Sequence, residues 1–331
     1  MKRIFLIGIV LSSIVWTIAQ TVHQAYPPKR AFEFTYAVKV YDIPASARSV
    51  DIWVPLPRDT RFQDISNVNI QASVPYRIEE DPEFRNRMAY FHVDGKVPQE
   101  VAITVTFNVL RQTAAVLEHP VQAARLSPEE RAQFLAPDSL VPINERIFEE
   151  IRKSGGAGLP PLKRAKAFYD YLVNTMKYDK SGQGWGRGDA LYACDVRKGN
   201  CTDFHSLFIS MARASGIPAR FIIGFPLHRN QTEGEIPGYH CWAEFYVDGK
   251  GWIPVDISEA YKRPAEKELL FGGLDPDRVA FTIGRDIQLQ PPVYTARQNY
   301  LIYPVVVVDG KPFYQVERKF RYKNISVDEK S

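Results

Sequence analysis

Residues 30 to 112 alternate apolar and polar positions in the manner of antiparallel strands. The stretches 32–40 (FEFTYAVKV) and 101–107 (VAITVTF) are the clearest, and 51–55 (DIWVP) is a third, ended by proline. Short strands with no helical period between them predict an antiparallel β-sandwich over residues 20–115. From 113 to 158 the pattern turns helical. Ser127-Pro128-Glu129-Glu130 reads as a helix start, with Ser127 as cap and proline in the first turn. Gly155, Gly156 and Gly158, then Pro160-Pro161, break that region, so 116–158 is read as a helical linker. An amphipathic helix is expected from 162 to 176. Gly182, Gly184, Gly186 and Gly188 then form a flexible loop. From Cys201 onward Phe204, Leu207, Phe208, Met211 and Ala212 recur at helical spacing and stop before Gly216-Ile217-Pro218. Two strands follow, at 239–246 and 252–256. Beyond 258 come turns and short strands, including 304–308 with an Asp309-Gly310 turn. The predicted class is α+β: a sandwich, the linker, a second domain over 159–290, and a C-terminal β extension over 291–331.

The first nineteen residues carry a different pattern. Lys2 and Arg3 precede an apolar run from 4 to 18, and Thr17-Ile18-Ala19 offers a small-x-small cleavage pattern before Gln20. The run is shorter than the ~20 residues of a membrane span, so a cleaved signal peptide over 1–19 is expected, and with it a periplasmic or secreted protein. The remainder carries 40 basic against 38 acidic residues once Lys2 and Arg3 are removed. That balance gives no footprint for nucleic acid. Three cysteines are present, Cys194, Cys201 and Cys241. In an oxidising compartment an odd number leaves at least one thiol free, which raises the prospect of a reactive one.

Cys201 is the candidate. Asn200 is a favoured N-cap and places Cys201 in the first helical turn, where the helix end favours a thiolate. A three-residue Val247-Asp248-Gly249 loop between the two strands would pair 246 with 250, 244 with 252, and 240 with 256. His240 and Asp256 would then stand opposite each other on one face, a carboxylate holding an imidazole in one tautomer. Other loop lengths remain open, and a longer Asp248–Gly251 turn would separate the pair. With Cys201 beside them, the three supply nucleophile, base and orienter. Strand alternation turns Cys241 to the opposite face, away from this chemistry. His205, four residues after Cys201, could reach the site but more readily fills a polar niche. Asp203 and His205, or Asp179 and Asp189, could serve as metal ligands, yet no spacing matches a zinc or calcium pattern, so all four are read as solvated loop and helix charges. Asn230 and Asn324 head sequons, which matter only in a glycosylating host.

Gly199-Asn200-Cys201-Thr202-Asp203-Phe204-His205-Ser206-Leu207 with Gly216-Ile217-Pro218-Ala219-Arg220, then Gly238-Tyr239-His240-Cys241-Trp242-Ala243-Glu244, then Gly251-Trp252-Ile253-Pro254-Val255-Asp256, resemble the three motif segments of the transglutaminase-like superfamily. Phe271-Gly272-Gly273-Leu274 and Gly284-Arg285-Asp286 are similar to a bacterial, exported branch of it. The resemblance covers about residues 160 to 260. It implies a papain-like core, with the nucleophile helix packed on an antiparallel sheet, and a thioester on Cys201. Papain-like proteases carry a glutamine shortly before the cysteine, where this chain has Asp195-Val196-Arg197. Trp185 is the candidate oxyanion donor in its place, as transglutaminases use a tryptophan there; a hydrophobic lid residue is the competing reading. The backbone N–H of Cys201 would be the other donor.

Three functions are in contention: hydrolysis of a peptide or isopeptide bond, amine cross-linking through the same thioester, and a non-catalytic binding module on an inherited fold. The expected partner is a peptide or protein substrate, with no cofactor, no metal, no nucleic acid and no stable membrane insertion after cleavage. Oligomeric state is not legible in the sequence.

Overall fold

The computed structural model describes residues 25–119 and 123–326, so the expected signal segment over 1–19 lies outside the described residues. The alternating stretches form two five-stranded antiparallel sheets. The first runs Glu233–Glu235, Val316–Asn324, Lys29–Val40, Val101–Gln112, Gln63–Ala72. The second runs Lys311–Pro312, Val305–Val308, Ser49–Pro55, Arg87–Asp94, Tyr76–Glu80. Each sheet is therefore completed by strands from the C-terminal end of the chain. Phe32, Phe34, Tyr36, Val38 and Val40 are all buried, and the residues between them are not, as the period of two requires. Phe34 stacks on Phe107 of its own sheet and packs against Phe225 of the strand Ala219–Pro226 and Phe281 of the strand Arg278–Ile283. The sandwich is thereby welded to the second half rather than tethered to it.

Ser127 caps the helix Pro128–Leu135 in a full capping box with Glu130, as its sequence indicates. The helices Glu145–Lys153 and Pro161–Thr175 follow. The stretch from 113 is not helical at its start: Ala114–Ala115 is a short strand paired with Gly273–Leu274, and Val116 donates to the Gly272 carbonyl. Helix-forming alanines yield there to ladder hydrogen bonds supplied from far along the chain. The helix Cys201–Ala214 is buried on nearly every side. A four-stranded antiparallel sheet covers it, ordered Gly251–Val255, His240–Val247, Ala219–Pro226, Arg278–Ile283, and the helices Glu145–Lys153, Pro161–Thr175 and Ala190–Val196 enclose the rest. Gly216 ends it at φ 76°, the left-handed conformation that glycine takes at no steric cost. No described helix is long and apolar enough to cross a membrane.

Candidate active site

Asn200 caps the Cys201–Ala214 helix through Thr202 N–H, and Asp203 returns the favour by accepting from Asn200 N–H at 2.9 Å. Cys201 is thus the first helical residue, with its thiol at the positive end of the dipole. Asp203 also accepts from Gly186 N–H at 2.8 Å and Gly188 N–H at 3.0 Å. It clamps the glycine-rich loop to the helix start. Arg285 adds a hydrogen bond to the Gly188 carbonyl, so the Gly186–Gly188 end of a loop expected to be flexible is held. Gly199 must be glycine here, since a Cβ would meet the Asp203 carboxylate at 2.2 Å. Asp203 and His205, read from the sequence as solvated charges, are both fully buried.

The hairpin forms, but two residues out of the expected register. Val247 pairs with Gly251, Glu244 with Pro254 and Ala243 with Val255, so the loop is Asp248 to Lys250. Trp252 stands opposite Tyr246, not opposite Glu244. An offset of two preserves parity, so His240 and Asp256 stay on the same face as diagonal neighbours, within reach of an imidazole. His240 Nε2 lies 2.7 Å from Asp256 Oδ2. Asp256 ends the second strand and N-caps the helix Ile257–Lys262, and the two roles use different oxygens. Oδ1 accepts from Glu259 N–H and Ser258 Oγ, while Oδ2 takes His240 and a 2.8 Å bond from Arg278. Arg278 in turn holds Asp275.

With Nε2 on Asp256, Nδ1 is the His240 nitrogen left to face Cys201, and the two side chains are close enough to set each other's charge. Burial works against charge on either group. The Asp256 charge and hydrogen bond, then Cys201, outweigh it and raise His240 to about 10. Burial likewise pushes the Cys201 thiol up, but hydrogen bonds from Cys241 and His240, and the charge on His240, hold it well below its ordinary value. Burial would raise the Asp256 carboxyl too, and His240 and Arg278 hold it well below the usual carboxylate range. These directions all favour a thiolate on Cys201 and an imidazolium on His240, with a carboxylate behind them.

Cys241 does not point away from this chemistry. Its Sγ lies 3.7 Å from His205 Nδ1, and the charge on Cys201 acts on it. Burial and its closeness to Cys201 push it well above the ordinary thiol range, so it stays a neutral thiol. Alternation does place it on the opposite face of its strand from His240, but the Cys201 end of the helix reaches both. All three cysteines are free thiols. His205 fills the polar niche expected of it. Its Nε2 accepts from Ile257 N–H at 3.0 Å, which leaves Nδ1 to donate to the Cys201 carbonyl at 2.8 Å. Burial lowers it to about 4, so it stays neutral and ties the Cys201 backbone to the segment that follows Asp256.

Trp185 has the Lys180 ammonium 5.9 Å from its ring centroid. Among the described residues no hydrogen bond or ring contact joins it to Cys201 or His240. Tyr178 and Tyr239, which the sequence did not single out, border the site instead. Both line the cleft that His240 opens onto, and the Tyr239 hydroxyl accepts from Asn200 Nδ2 at 3.0 Å. Asp189, a suggested metal ligand, caps the helix Ala190–Val196, and Asp179 accepts from Ser181 N–H.

Residues 151–257 match the model of the transglutaminase-like superfamily. The chain carries a transglutaminase-like domain. An uncharacterized protein of Haemophilus influenzae is 28% identical over 335 residues, covering 89% of this chain and 90% of that one. Uncharacterized protein YebA of Bacillus subtilis is 26% identical over 117 residues, 31% of this chain and 16% of that protein. Among solved structures, a candidate cysteine protease from Cytophaga hutchinsonii superposes with a TM-score of 0.59 at 17% identity, over 91% of this chain and 93% of that one. At that identity the likeness is one of fold. It extends across the sandwich as well as the transglutaminase-like domain.

Proposed function

We propose that the chain is an exported cysteine hydrolase that cleaves an amide, in a peptide or isopeptide bond, through a thioester on Cys201. The observation that carries this reading is His240, bonded through Nε2 to the buried Asp256 carboxylate at 2.7 Å, with the thiol of Cys201 at a helix start as its electrostatic neighbour. In this mechanism the Cys201 thiolate attacks the carbonyl carbon, and the Cys201 backbone N–H supports the developing oxyanion. The His240 imidazolium gives its proton to the leaving amine. The neutral imidazole then takes a proton from water, which attacks the thioester and releases the acid and Cys201. Asp256 keeps the ring oriented throughout. Trp185 would serve as a second oxyanion donor only if its loop turned inward on substrate binding. Export rests on the N-terminal pattern of positive start, apolar run and cleavage sequence.

Hydrolysis is favoured over amine cross-linking by the surroundings of His240. The cleft beside it, about 620 Å³, is bordered by Lys180, Lys262, Glu259 and Asp277. It is a wet, charged groove suited to a polar chain. Trp242 and Trp252, which could have walled a water-excluding amine channel, line a different cavity. Water then reaches the thioester by its abundance. The test offers a glutamine-containing peptide together with a fluorescent primary amine. The expected product is free acid with little amine incorporated; efficient incorporation would make cross-linking the reaction. Failure of any peptide panel to turn over, with Cys201 unreactive, would favour a binding module.

A further inference from the structure

Behind the catalytic sheet, on the face away from the nucleophile helix, lies a cavity of about 310 Å³. It is closed on one side by the sandwich and is large enough for a small organic molecule. Five arginines line it, Arg58, Arg61, Arg111, Arg125 and Arg220, against two acidic residues. Both acids are already engaged. Glu244 is paired with Arg220 at 2.6 Å, and Glu130 accepts from the Ser127 N–H as part of its capping box. The walls are otherwise apolar, with Trp242 and Trp252 prominent.

Arg111 is the residue that the fold does not explain. It is 3% exposed, and its Nε is buried without a hydrogen-bond partner. Among the described residues no carboxylate or carbonyl pairs with its guanidinium. Arg30, directly opposite on the neighbouring strand, shows what satisfaction looks like there. It bonds to Asp277, Asn324 and the carbonyls of His228 and Gln231. A second buried donor in the same cavity, Trp242 Nε1, is also unpaired. The guanidinium carbon lies 6.0 Å from the Trp242 ring centroid, but a ring face does not replace hydrogen-bond acceptors, and burial lowers the Arg111 pKa to about 10. A fold that keeps such a group beside an unpaired indole N–H has arranged donors for an acceptor that comes from outside the chain.

We propose that this cavity is a second ligand site, built for a small organic anion whose carboxylate or phosphate sits on Arg111 and whose apolar body lies against Trp242 and Trp252. The charge surplus selects the anion, and the tryptophans select a hydrocarbon or aromatic body. The site is separate from the cleft that His240 opens onto, but Trp242 stands between them: its ring lies 5.2 Å from the Arg278 guanidinium and 6.4 Å from the His240 ring.

The full chain would be titrated with octanoate, phenyl phosphate, inorganic phosphate and octylamine, following tryptophan fluorescence and melting temperature. Saturable fluorescence change and a raised Tm are expected for octanoate or phenyl phosphate; whichever binds tighter identifies the headgroup. Octylamine should do neither, and inorganic phosphate should bind more weakly than phenyl phosphate. Arg111→Met should weaken binding by about tenfold or more, from loss of a charge-assisted pair. It should leave the Tm of the unliganded protein equal or higher, since it removes an unpaired buried charge. Arg125→Ala should weaken binding a few-fold in a protein that folds normally. The proposal is overturned by absence of saturable binding of either organic anion, by unchanged affinity in both variants, or by an Arg111→Met protein that is less stable without ligand, which would make the arginine structural.

Discussion

Cys201→Ala and His240→Ala should each reduce turnover to background, while Asp256→Asn should leave a measurable residual rate, lower by about 10²–10⁴. The asymmetry comes from the geometry. In the proposed mechanism the thiol forms the covalent bond and the imidazole moves the protons. Asp256 holds the ring through a single 2.7 Å contact. His240 keeps its second partner, Cys201, when that contact weakens. Cys201 is a small buried residue, so its alanine variant should melt close to the parent, and loss of activity can be read as loss of chemistry. A Cys201→Ala protein of unchanged fold and undiminished rate would remove the nucleophile from the account.

The largest effect on stability should come from Arg278→Met. Arg278 is buried and bridges Asp256 and Asp275, both buried. Its removal leaves two carboxylates in a dry interior with reduced compensation. Such a loss costs about 3–5 kcal/mol, which corresponds to a fall in Tm on the order of 5 °C or more. Asp275 retains Arg229 and Arg263, so the larger share of the penalty falls on Asp256. Arg278→Lys should fall between, because an ammonium is a point charge that cannot fork across both acids. A thermal melt decides it. An Arg278→Met protein as stable as the parent would mean that the network contributes nothing to the fold.

Much of the site could be read before any coordinates. The helix start at Cys201 was legible because a cap, a glycine and an apolar period coincide there. The His240–Asp256 pairing survived an error of two residues in the hairpin register, because strand parity, not exact register, decides which face a side chain takes. What stayed hidden depends on contacts distant in sequence. Arg278 and Cys241 gain their roles only when the helix and sheet meet, and no spacing marks them. Asp203 looks like any helix-turn acid until three backbone N–H groups are seen converging on it. The strand Val316–Asn324 falls in the expected C-terminal β extension, but its place in the sandwich is not legible, because Phe320 and Tyr322 are its only buried residues, flanked by charges that face solvent. Its place between Lys29–Val40 and Glu233–Glu235 is set by ladder pairing across nearly the whole chain.

The central claim is that Cys201 exists as a thiolate held by the His240 imidazolium, and alkylation with iodoacetamide across pH tests it most directly. Peptide mapping after short exposures would report Cys194, Cys201 and Cys241 separately. The ion pair persists above the lowered pKa of Cys201 and until His240, raised to about 10, loses its proton. Cys201 should therefore be modified at pH 5.5 at nearly its pH 7.5 rate, whereas an ordinary thiol of pKa ~8.5 would lose about tenfold per pH unit, or about 10² over that interval. Cys194, pushed up to about 12 by burial, and Cys241, raised by burial and by the charge on Cys201, should remain unmodified in the folded protein. In His240→Ala the Cys201 profile should move up toward that of a free thiol. A Cys201 profile that already rises with a midpoint near 8.5 in the parent protein, and does not move in His240→Ala, would contradict the account.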